Sequence, residues 1–392
     1  MPSRAPRAPP LEAPPPAAWL LGAPAALLQL VVAAGHYAVK WALWLGCSPA
    51  LGVRREVQLW AHLLSLAMRG VGGGSAPVAV RVENGRDAAE AAALLRRDGC
   101  VVLLGAVGDV GLLERCACEC THAAAAIVAA QGSEGNRGRR RYCFGEQLAR
   151  YCPSLPDLLA SEAVAATLRA LWGTDDFAAL SIGGDFTLPG CLPYQPLHSD
   201  MAWLQAGKAT PPVATVNFAM EEVTAQAGPV RFVRGTHRFR PPLSGVLHSS
   251  IMVLRVFKRQ TPACVAARRL LESLATVLSS LESALFRARV ATLAPMPLGA
   301  AVVRDPRTWH GGTPNTTADT LRALPHVMYA PGSAAWSDGQ GAQRCIPAAR
   351  FDAMPEAAQR RARHCRAAGQ VACEAPTPDK ATLRVGAVGA LH

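Results

Sequence analysis

The chain has 392 residues, of which half are hydrophobic and 17% are charged. This composition supplies a sizeable core and excludes a chain that is disordered throughout. The formal net charge is +12, but only four of the 40 basic residues are lysines. The arginine excess is spread along the chain, so we expect no specific nucleic-acid partner.

The first 75 residues are expected to precede the folded domain. Residues 1–16 are rich in proline and alanine, which predicts disorder. Residues 17–39 contain no Asp, Glu, Lys or Arg and are followed by a second apolar stretch at 41–53. Such a run is long enough to cross a bilayer, so membrane association or organelle targeting through residues 17–53 is favoured over a cytoplasmic location. A cleaved targeting peptide and a helix packed on the domain stay open, and glycine-rich residues 70–75 form a linker.

The globular domain is predicted over residues 87–332. A helix that ends near Gly99 leads to a strand at 100–104, and further helices are predicted at 112–130 and 155–171. The helix at 112–130 carries three cysteines, Cys116, Cys118 and Cys120. We interpret them as small core residues rather than as a zinc or redox site, because a structural zinc ion needs four ligands and no second pair is evident.

Arg137-Gly138-Arg139-Arg140-Arg141 is the densest basic run. We interpret it as a solvated loop, and binding of an anionic substrate tail is the alternative.

Several short apolar stretches separated by turn signals predict the strands of a sandwich or barrel. They lie at residues 177–188, 213–220, 230–233, 300–303 and 323–329. Residues 261–290 have the apolar spacing of an amphipathic helix, which would either cover the site as a lid or support the outside of the sheet. The C-terminal residues 333–392 are expected to form a partly helical tail.

The most informative pattern is a histidine and a carboxylate two residues apart, His198 and Asp200. On an extended strand both side chains project to the same side and can bind one metal ion. His310 follows a buried strand and a turn and is the predicted third ligand. Two histidines and one carboxylate hold non-haem Fe(II) and leave coordination positions open. The alternatives are a turn-capping aspartate beside two core histidines, or His326 as the third ligand.

Three segments reinforce this pattern. They are LHSD at 197–200, AGPVRFVRGTH at 227–237 and RTWHGGTPN at 307–315, and Arg322 follows them. Together with LRRDGCVVL at 95–103, they resemble the phytanoyl-CoA dioxygenase family of iron- and 2-oxoglutarate-dependent oxygenases over roughly residues 87–331. The resemblance implies a mainly β domain with flanking helices (α+β), built on a double-stranded β-helix, the jelly-roll of cupin-like proteins. It also implies Fe(II), O2 and 2-oxoglutarate, and it is compatible with ascorbate.

The resemblance places iron on three residues, His198, Asp200 and His310. It places Arg322 on the distal carboxylate of 2-oxoglutarate, where a planar guanidinium can form two parallel hydrogen bonds. Asn217 corresponds to a position where relatives have a side chain that touches the cosubstrate. Relatives often have a hydroxyl residue where this chain has Gly312. Either Thr313 replaces that hydroxyl, or one hydrogen bond to the cosubstrate is missing.

The sequence therefore predicts a dioxygenase that hydroxylates a small-molecule or lipid-like substrate and releases succinate and CO2. A degenerate, membrane-tethered jelly-roll that only binds is favoured instead if Gly312 marks a decayed pocket. A cupin-like metalloenzyme that does not use 2-oxoglutarate is disfavoured by Arg322. No stretch of the sequence identifies the substrate or the oligomeric state.

Overall fold

The computed structural model describes residues 79–132, 134–135, 137–195, 197–201, 210–238, 265–266, 269–274, 277, 290–292, 296–332 and 342–368. The predicted membrane or targeting segment, residues 17–53, lies outside these ranges. Within them, no helix has both the length and the apolar character needed to cross a membrane.

The described residues form helices and twelve strands. The α-helices are α1 (Gly85–Asp98), α2 (Val110–Gln131), α3 (Glu162–Trp172), α4 (Ala348–Asp352) and α5 (Glu356–Arg361), and 3-10 helices occur at Leu148–Arg150, Leu155–Ala160 and Thr236–Arg238. The strands are β1 (Ala79–Arg81), β2 (Cys100–Leu104), β3 (Glu134–Gly135), β4 (Gly138–Arg139), β5 (Arg141–Cys143), β6 (Phe177–Thr187), β7 (Ala214–Phe218), β8 (Val230–Val233), β9 (Val290–Thr292), β10 (Ala301–Arg304), β11 (Trp309–Gly312) and β12 (Arg322–Pro331).

The strands form the two sheets of a jelly-roll. The larger sheet has the order β1-β2-β10-β7-β12-β6-β5-β4-β3, and the smaller has the order β11-β8-β9. Leu324 of β12, Val302 of β10 and Phe232 of β8 belong to one buried cluster, so the inner faces of the two sheets share a core. The predicted jelly-roll with flanking helices is confirmed.

Alternation along β12 separates an inner face from an outer face. Leu324 packs in the cluster between the sheets, whereas Val327 and Tyr329 pack in the larger cluster that contains residues of α1, α2 and α3. Because Arg322 and His326 share the parity of Leu324, their side chains start from the inner face.

Two of the three cysteines of α2 are core residues as predicted, and for Cys118 the prediction was wrong. Cys116 and Cys120 are buried in the larger cluster, and Cys118 is exposed. The Sγ atom of Cys120 lies 3.8 Å from that of Cys152. These three cysteines of α2 are part of no group that could hold a metal among the described residues.

The structure departs from the sequence prediction at the helix expected over residues 155–171. Residues Leu155–Ala160 form a 3-10 helix, and α3 begins only at Glu162. Ser161 separates the two, because its hydroxyl accepts from the Val164 amide (3.4 Å) and donates to the Ala106 carbonyl (2.7 Å). A side chain that caps a helix favours a new start over a continuous helix.

The arginine run of residues 137–141 is not the solvated loop expected from the sequence. Gly138 and Arg139 form β4, and Arg141 begins β5 with only 5% of its surface exposed. β5 pairs with β6, so the end of the run enters the large sheet. The prediction was wrong because a charge run carries no information on strand pairing.

The C-terminal residues 342–368 contain α4 and α5, as expected for a partly helical segment. They do not leave the domain as a tail, because Met354, Ala358 and Cys365 are buried in the larger core cluster. Within the predicted helix of residues 261–290, the described residues 269–274 are helical. Leu270 and Leu274 are exposed there, with 63% and 46% of their surfaces accessible.

Candidate functional site

The structure brings His198, Asp200 and His310 together. His198 and His310 pair across an isolated antiparallel bridge, with N–O distances of 2.9 and 2.8 Å, and their ring centroids are 4.5 Å apart. The Nε2 atoms of His198 and His310 lie 3.6 and 3.5 Å from the two carboxylate oxygens of Asp200. One ligand atom from each residue lies within 4.8 Å of the others, and the part of the chain that the structure describes contains no second group of this kind.

The hydrogen bond and the burial of His310 favour the form of the imidazole that binds a metal. Its Nδ1 lies 2.9 Å from the Thr308 carbonyl oxygen, which can only accept, so Nδ1 carries the proton and the lone pair is on Nε2. Burial and the charge of Arg304 lower the pKa of His310 to about 3, so the imidazole is neutral at physiological pH. A neutral imidazole with Nε2 directed at a carboxylate is suited to bind a divalent cation.

Asp200 is held in its ionised form. Burial acts to raise the pKa of its carboxyl group, but the two histidines, in the acid range where they are protonated, and the permanent charge of Arg304 outweigh burial, and the pKa lies well below its usual range. Arg304 Nη1 donates to Asp200 Oδ2 at 2.8 Å, and Arg304 Nε donates to Asn217 Oδ1 at 3.3 Å. The predicted cosubstrate residue Asn217 therefore lies in the same hydrogen-bonded network as the carboxylate.

A rigid turn before β11 sets the position of His310. Asp305 and Arg307 form an ion pair of 2.6 Å in which both side chains are 1% exposed. The Asp305 amide and the Thr308 hydroxyl both donate to the Gly99 carbonyl oxygen. Gly99 ends α1 in the left-handed region (φ 81), and a Cβ there would lie 2.1 Å from Thr308 Oγ1. This glycine therefore permits both the helix end and the close approach of the turn.

Arg322 stands in a row of polar residues that crosses three strands. The register pairs Arg322 of β12 with Thr187 of β6, and Thr187 with Arg141 of β5, so all three side chains start from the inner face. Arg322 Nε and Thr187 Oγ1 are buried and have no hydrogen-bond partner. Burial and the charge of Arg141 lower the pKa of Arg322 to about 9.

Gly312 leaves the space that Arg141 occupies. A Cβ on Gly312 would lie 2.0 Å from Arg141 Nη1 and 2.8 Å from its Cζ. Arg141 Nη2 donates to the carbonyl oxygens of Thr313 (2.9 Å) and Pro193 (3.2 Å). The Thr313 hydroxyl donates to the Pro229 carbonyl at 2.6 Å, so its single proton is not offered to a cosubstrate. Arg141, rather than Thr313, fills the place left by the missing hydroxyl.

His326 lies on the inner face but is not part of the metal group. Its Nε2 is 3.4 Å from Glu146 Oε2, and the group of potential metal ligands consists of the other three residues. The sequence interpretation missed Thr187 and Arg304, and it named Arg141 only as part of the basic run at residues 137–141. For Arg304 a signal existed, since it shares strand parity with the core residue Val302.

A comparison with known protein families identifies the family of this domain. The family model described as Phytanoyl-CoA dioxygenase (PhyH) matches residues 95–323, which is more than half of the chain. No curated protein matches the chain in sequence.

Similar solved structures include SnoN, a non-heme alpha ketoglutarate dependent epimerase from nogalamycin biosynthesis. It is 18% identical to this chain, the alignment covers 64% of this chain and 82% of SnoN, and the TM-score is 0.42. AviO1 from Streptomyces viridochromogenes Tue57 has 17% identity, coverages of 64% and 97%, and a TM-score of 0.41. HygX from Streptomyces hygroscopicus, solved with nickel and 2-oxoglutarate bound, has 13% identity, coverages of 62% and 87%, and a TM-score of 0.41. Similarities at this level carry no residue role or substrate over to this chain.

Proposed function

The chain belongs to the phytanoyl-CoA dioxygenase family, and on that premise we propose that this iron- and 2-oxoglutarate-dependent dioxygenase hydroxylates a small-molecule substrate. When bound, iron and 2-oxoglutarate supply the oxidation, in which one atom of O2 enters the substrate as a hydroxyl and the other leaves in succinate, with release of CO2.

His198, Asp200 and His310 are the proposed iron ligands. The donor set fits Fe(II), because two neutral imidazoles and one carboxylate leave room in the coordination sphere for a chelating cosubstrate and for O2. The hydrogen bonds to Thr308 and Arg304 orient His310 and Asp200 before the ion binds. Metal sites commonly require such hydrogen bonds to their ligands, here from His310 to the Thr308 backbone carbonyl and from the Arg304 side chain to Asp200.

One observation carries the proposal for 2-oxoglutarate, namely the row of Arg141, Thr187 and Arg322. Two buried guanidinium groups stand close enough for the charge of Arg141 to depress the pKa of Arg322, and two donors of the row have no acceptor. A carboxylate bound between them would supply the missing acceptors and compensate the repulsion. A metalloprotein that does not bind a dianionic cosubstrate has no evident need for this arrangement.

Arg322→Ala tests this assignment in a direct titration. We expect Fe(II)-loaded protein, kept free of oxygen in a calorimeter, to bind 2-oxoglutarate about two orders of magnitude more weakly after this change, because charge-assisted hydrogen bonds contribute about 1.5–3 kcal/mol each. Arg322→Lys should recover only part of the affinity, since a point charge replaces a planar fork. Arg139→Ala, which removes an exposed arginine of β4, is the matched control and should bind as the unaltered protein does.

The same titration separates the alternatives. A protein that binds iron but no 2-oxoglutarate is a metalloenzyme of another reaction. A protein that binds neither is a degenerate binding module. An Arg322→Ala variant with unchanged affinity for 2-oxoglutarate would place the distal carboxylate elsewhere.

A further inference from the structure

A second polar cluster, made of Glu146, Ser181 and His326, lies on the inner face of the large sheet. Ser181 Oγ donates to Glu146 Oε2 at 2.8 Å, and His326 Nε2 lies 3.4 Å from the same oxygen. His326 is four residues from Arg322 on β12, which corresponds to about 13 Å along a strand. The cluster is therefore separate from the row proposed to bind the cosubstrate.

Glycines of β6 allow Glu146 to enter the interior. After β5 the chain crosses β6, with the Phe144 amide donating to the Gly184 carbonyl (2.8 Å) and Gln147 bridging to Ile182. A Cβ on Gly183 would lie 2.6 Å from the Gly145 carbonyl oxygen and 3.1 Å from His326 Nε2. The crossing therefore takes place on the face that carries His326, and it requires glycine at residue 183.

Glu146 is a charged group with one oxygen left open. Burial acts to raise the pKa of its carboxyl group, but His326 and Ser181 outweigh burial and hold the pKa at about 2. Oε2 takes both contacts of the cluster, whereas Oε1 accepts no hydrogen bond from the described part of the chain. The side chain keeps 24% of its surface exposed.

The nearby cations are engaged with other carboxylates. Arg304 Nη1 lies 2.8 Å from Asp200 Oδ2, and Arg137 Nε lies 3.6 Å from Asp185 Oδ1. Among the described residues, Glu146 forms no ion pair with an arginine, and its titratable partner is His326. A partly buried anion of this kind is stabilised by a cation that can also donate hydrogen bonds.

The cluster is close to the proposed iron site. The register places His326 opposite Asn217 of β7, and Asn217 accepts from Arg304, which donates to Asp200. Opposite side chains on paired strands are about 5 Å apart. A molecule that is bound at Glu146 and extends past His326 along the inner face would therefore reach Asn217 and Arg304, the neighbours of the metal-binding carboxylate.

We propose that Glu146, together with Ser181 and His326, forms a substrate subsite that binds a protonated amine. The assignment rests on the proposed function, because it places the amine-bearing substrate next to the iron ligands. An ammonium group would donate an N–H to Oε1, which has no donor among the described residues, and would place a positive charge beside the carboxylate. A hydroxyl supplies a donor without the charge, and a carboxylate is repelled.

Three probes that share one carbon skeleton test the subsite, namely cyclohexylmethylammonium, cyclohexylmethanol and cyclohexanecarboxylate. They are titrated in a calorimeter, without oxygen, into protein loaded with Fe(II) and 2-oxoglutarate. We expect the ammonium to bind about tenfold or more tightly than the alcohol, as one charge-assisted hydrogen bond predicts, and the carboxylate not to bind. Glu146→Gln should abolish the preference, and Glu146→Asp should retain part of it.

Glu119→Gln is the matched control. Glu119 also accepts from a serine hydroxyl, that of Ser154 at 2.7 Å, but it lies on α2 in the helical layer. Equal binding of ammonium and alcohol, no binding of the ammonium, or an unchanged preference in Glu146→Gln would each overturn the subsite. Affinity for 2-oxoglutarate is measured on the same samples. If the protein does not bind 2-oxoglutarate, the proposed function is rejected. If it binds 2-oxoglutarate but shows no preference for the ammonium, only the subsite is rejected.

Discussion

Gly312→Ala is expected to weaken 2-oxoglutarate binding although residue 312 itself need not touch the cosubstrate. The added Cβ would lie 2.0 Å from Arg141 Nη1, 2.8 Å from Cζ and 3.2 Å from Nη2. The guanidinium must therefore move. Its present position is fixed by hydrogen bonds to the carbonyl oxygens of Thr313 and Pro193, and these bonds would be lost or distorted.

The expected magnitude follows from the interaction that is displaced. A hydrogen bond from a charged donor is worth about 1.5–3 kcal/mol, so loss of the Arg141 contact should weaken binding by roughly ten- to a hundredfold. Arg141→Ala should have an effect of the same size. In the Arg141→Ala background the methyl group of residue 312 has room, so adding Gly312→Ala should change little.

The assay is a double-mutant cycle of 2-oxoglutarate affinity, measured by calorimetry on Fe(II)-loaded protein without oxygen. The coupling between the two positions should account for nearly the whole effect of either single change. Additive effects would mean that Gly312 and Arg141 act independently. Unchanged affinity in Gly312→Ala would show that Arg141 does not contact the cosubstrate.

Three further predictions concern the metal, the fold and pH. The His310→Ala variant should lose bound iron while remaining folded, and the His326→Ala variant should retain its iron. If metal analysis finds iron in His310→Ala and none in His326→Ala, the third ligand is His326. Arg307→Ala leaves a buried carboxylate without its partner and should lower the free energy of unfolding by about 3–5 kcal/mol in urea; a loss below about 1 kcal/mol would contradict the importance of this ion pair. The pKa of Glu146 falls from its ordinary value of 4.5 to about 2 on folding, so its ionised form adds stability above pH 4.5 that is lost as the pH falls towards 2. The difference in unfolding free energy between the unaltered protein and Glu146→Gln should therefore shrink over that interval, and a constant difference would contradict the shift.

The grouping of His198, Asp200 and His310 could be predicted from the sequence because it depends on local geometry. The parity of a strand places His198 and Asp200 on one side, and the buried strand and turn before His310 mark where a third ligand can return. The family resemblance supplied the pairing of these distant segments. The inward direction of Arg322 and His326 follows from the same alternation along β12.

The partners of Arg322 could not be predicted, because they depend on the pairing of distant strands. Arg141 lies beside Thr187 only through the register of β5 with β6, and β5 has three residues, too few for a periodic signal. From the sequence, Gly312 could only be interpreted as the possible loss of one hydrogen bond to the cosubstrate. A sequence shows that a hydroxyl is missing but not which side chain occupies its space. The crossing at Gly183 is equally hidden, because a glycine inside a strand signals close approach without naming the approaching segment.

The inner face of the large sheet bears on whether the substrate is lipid-like or polar. Leu324 lies on β12 between the row of Arg322 and the cluster of His326, and it is fully buried against other core residues. Among the described residues, an acyl chain that extended from Asp200 along this face of β12 would therefore meet His326 and Glu146. Covering an ionised carboxylate with hydrocarbon removes its solvation without replacing it, at a cost of several kcal/mol. A polar substrate that hydrogen-bonds to the carboxylate replaces that solvation, so under the proposed function the described part of this face favours a polar small molecule over a lipid as the substrate.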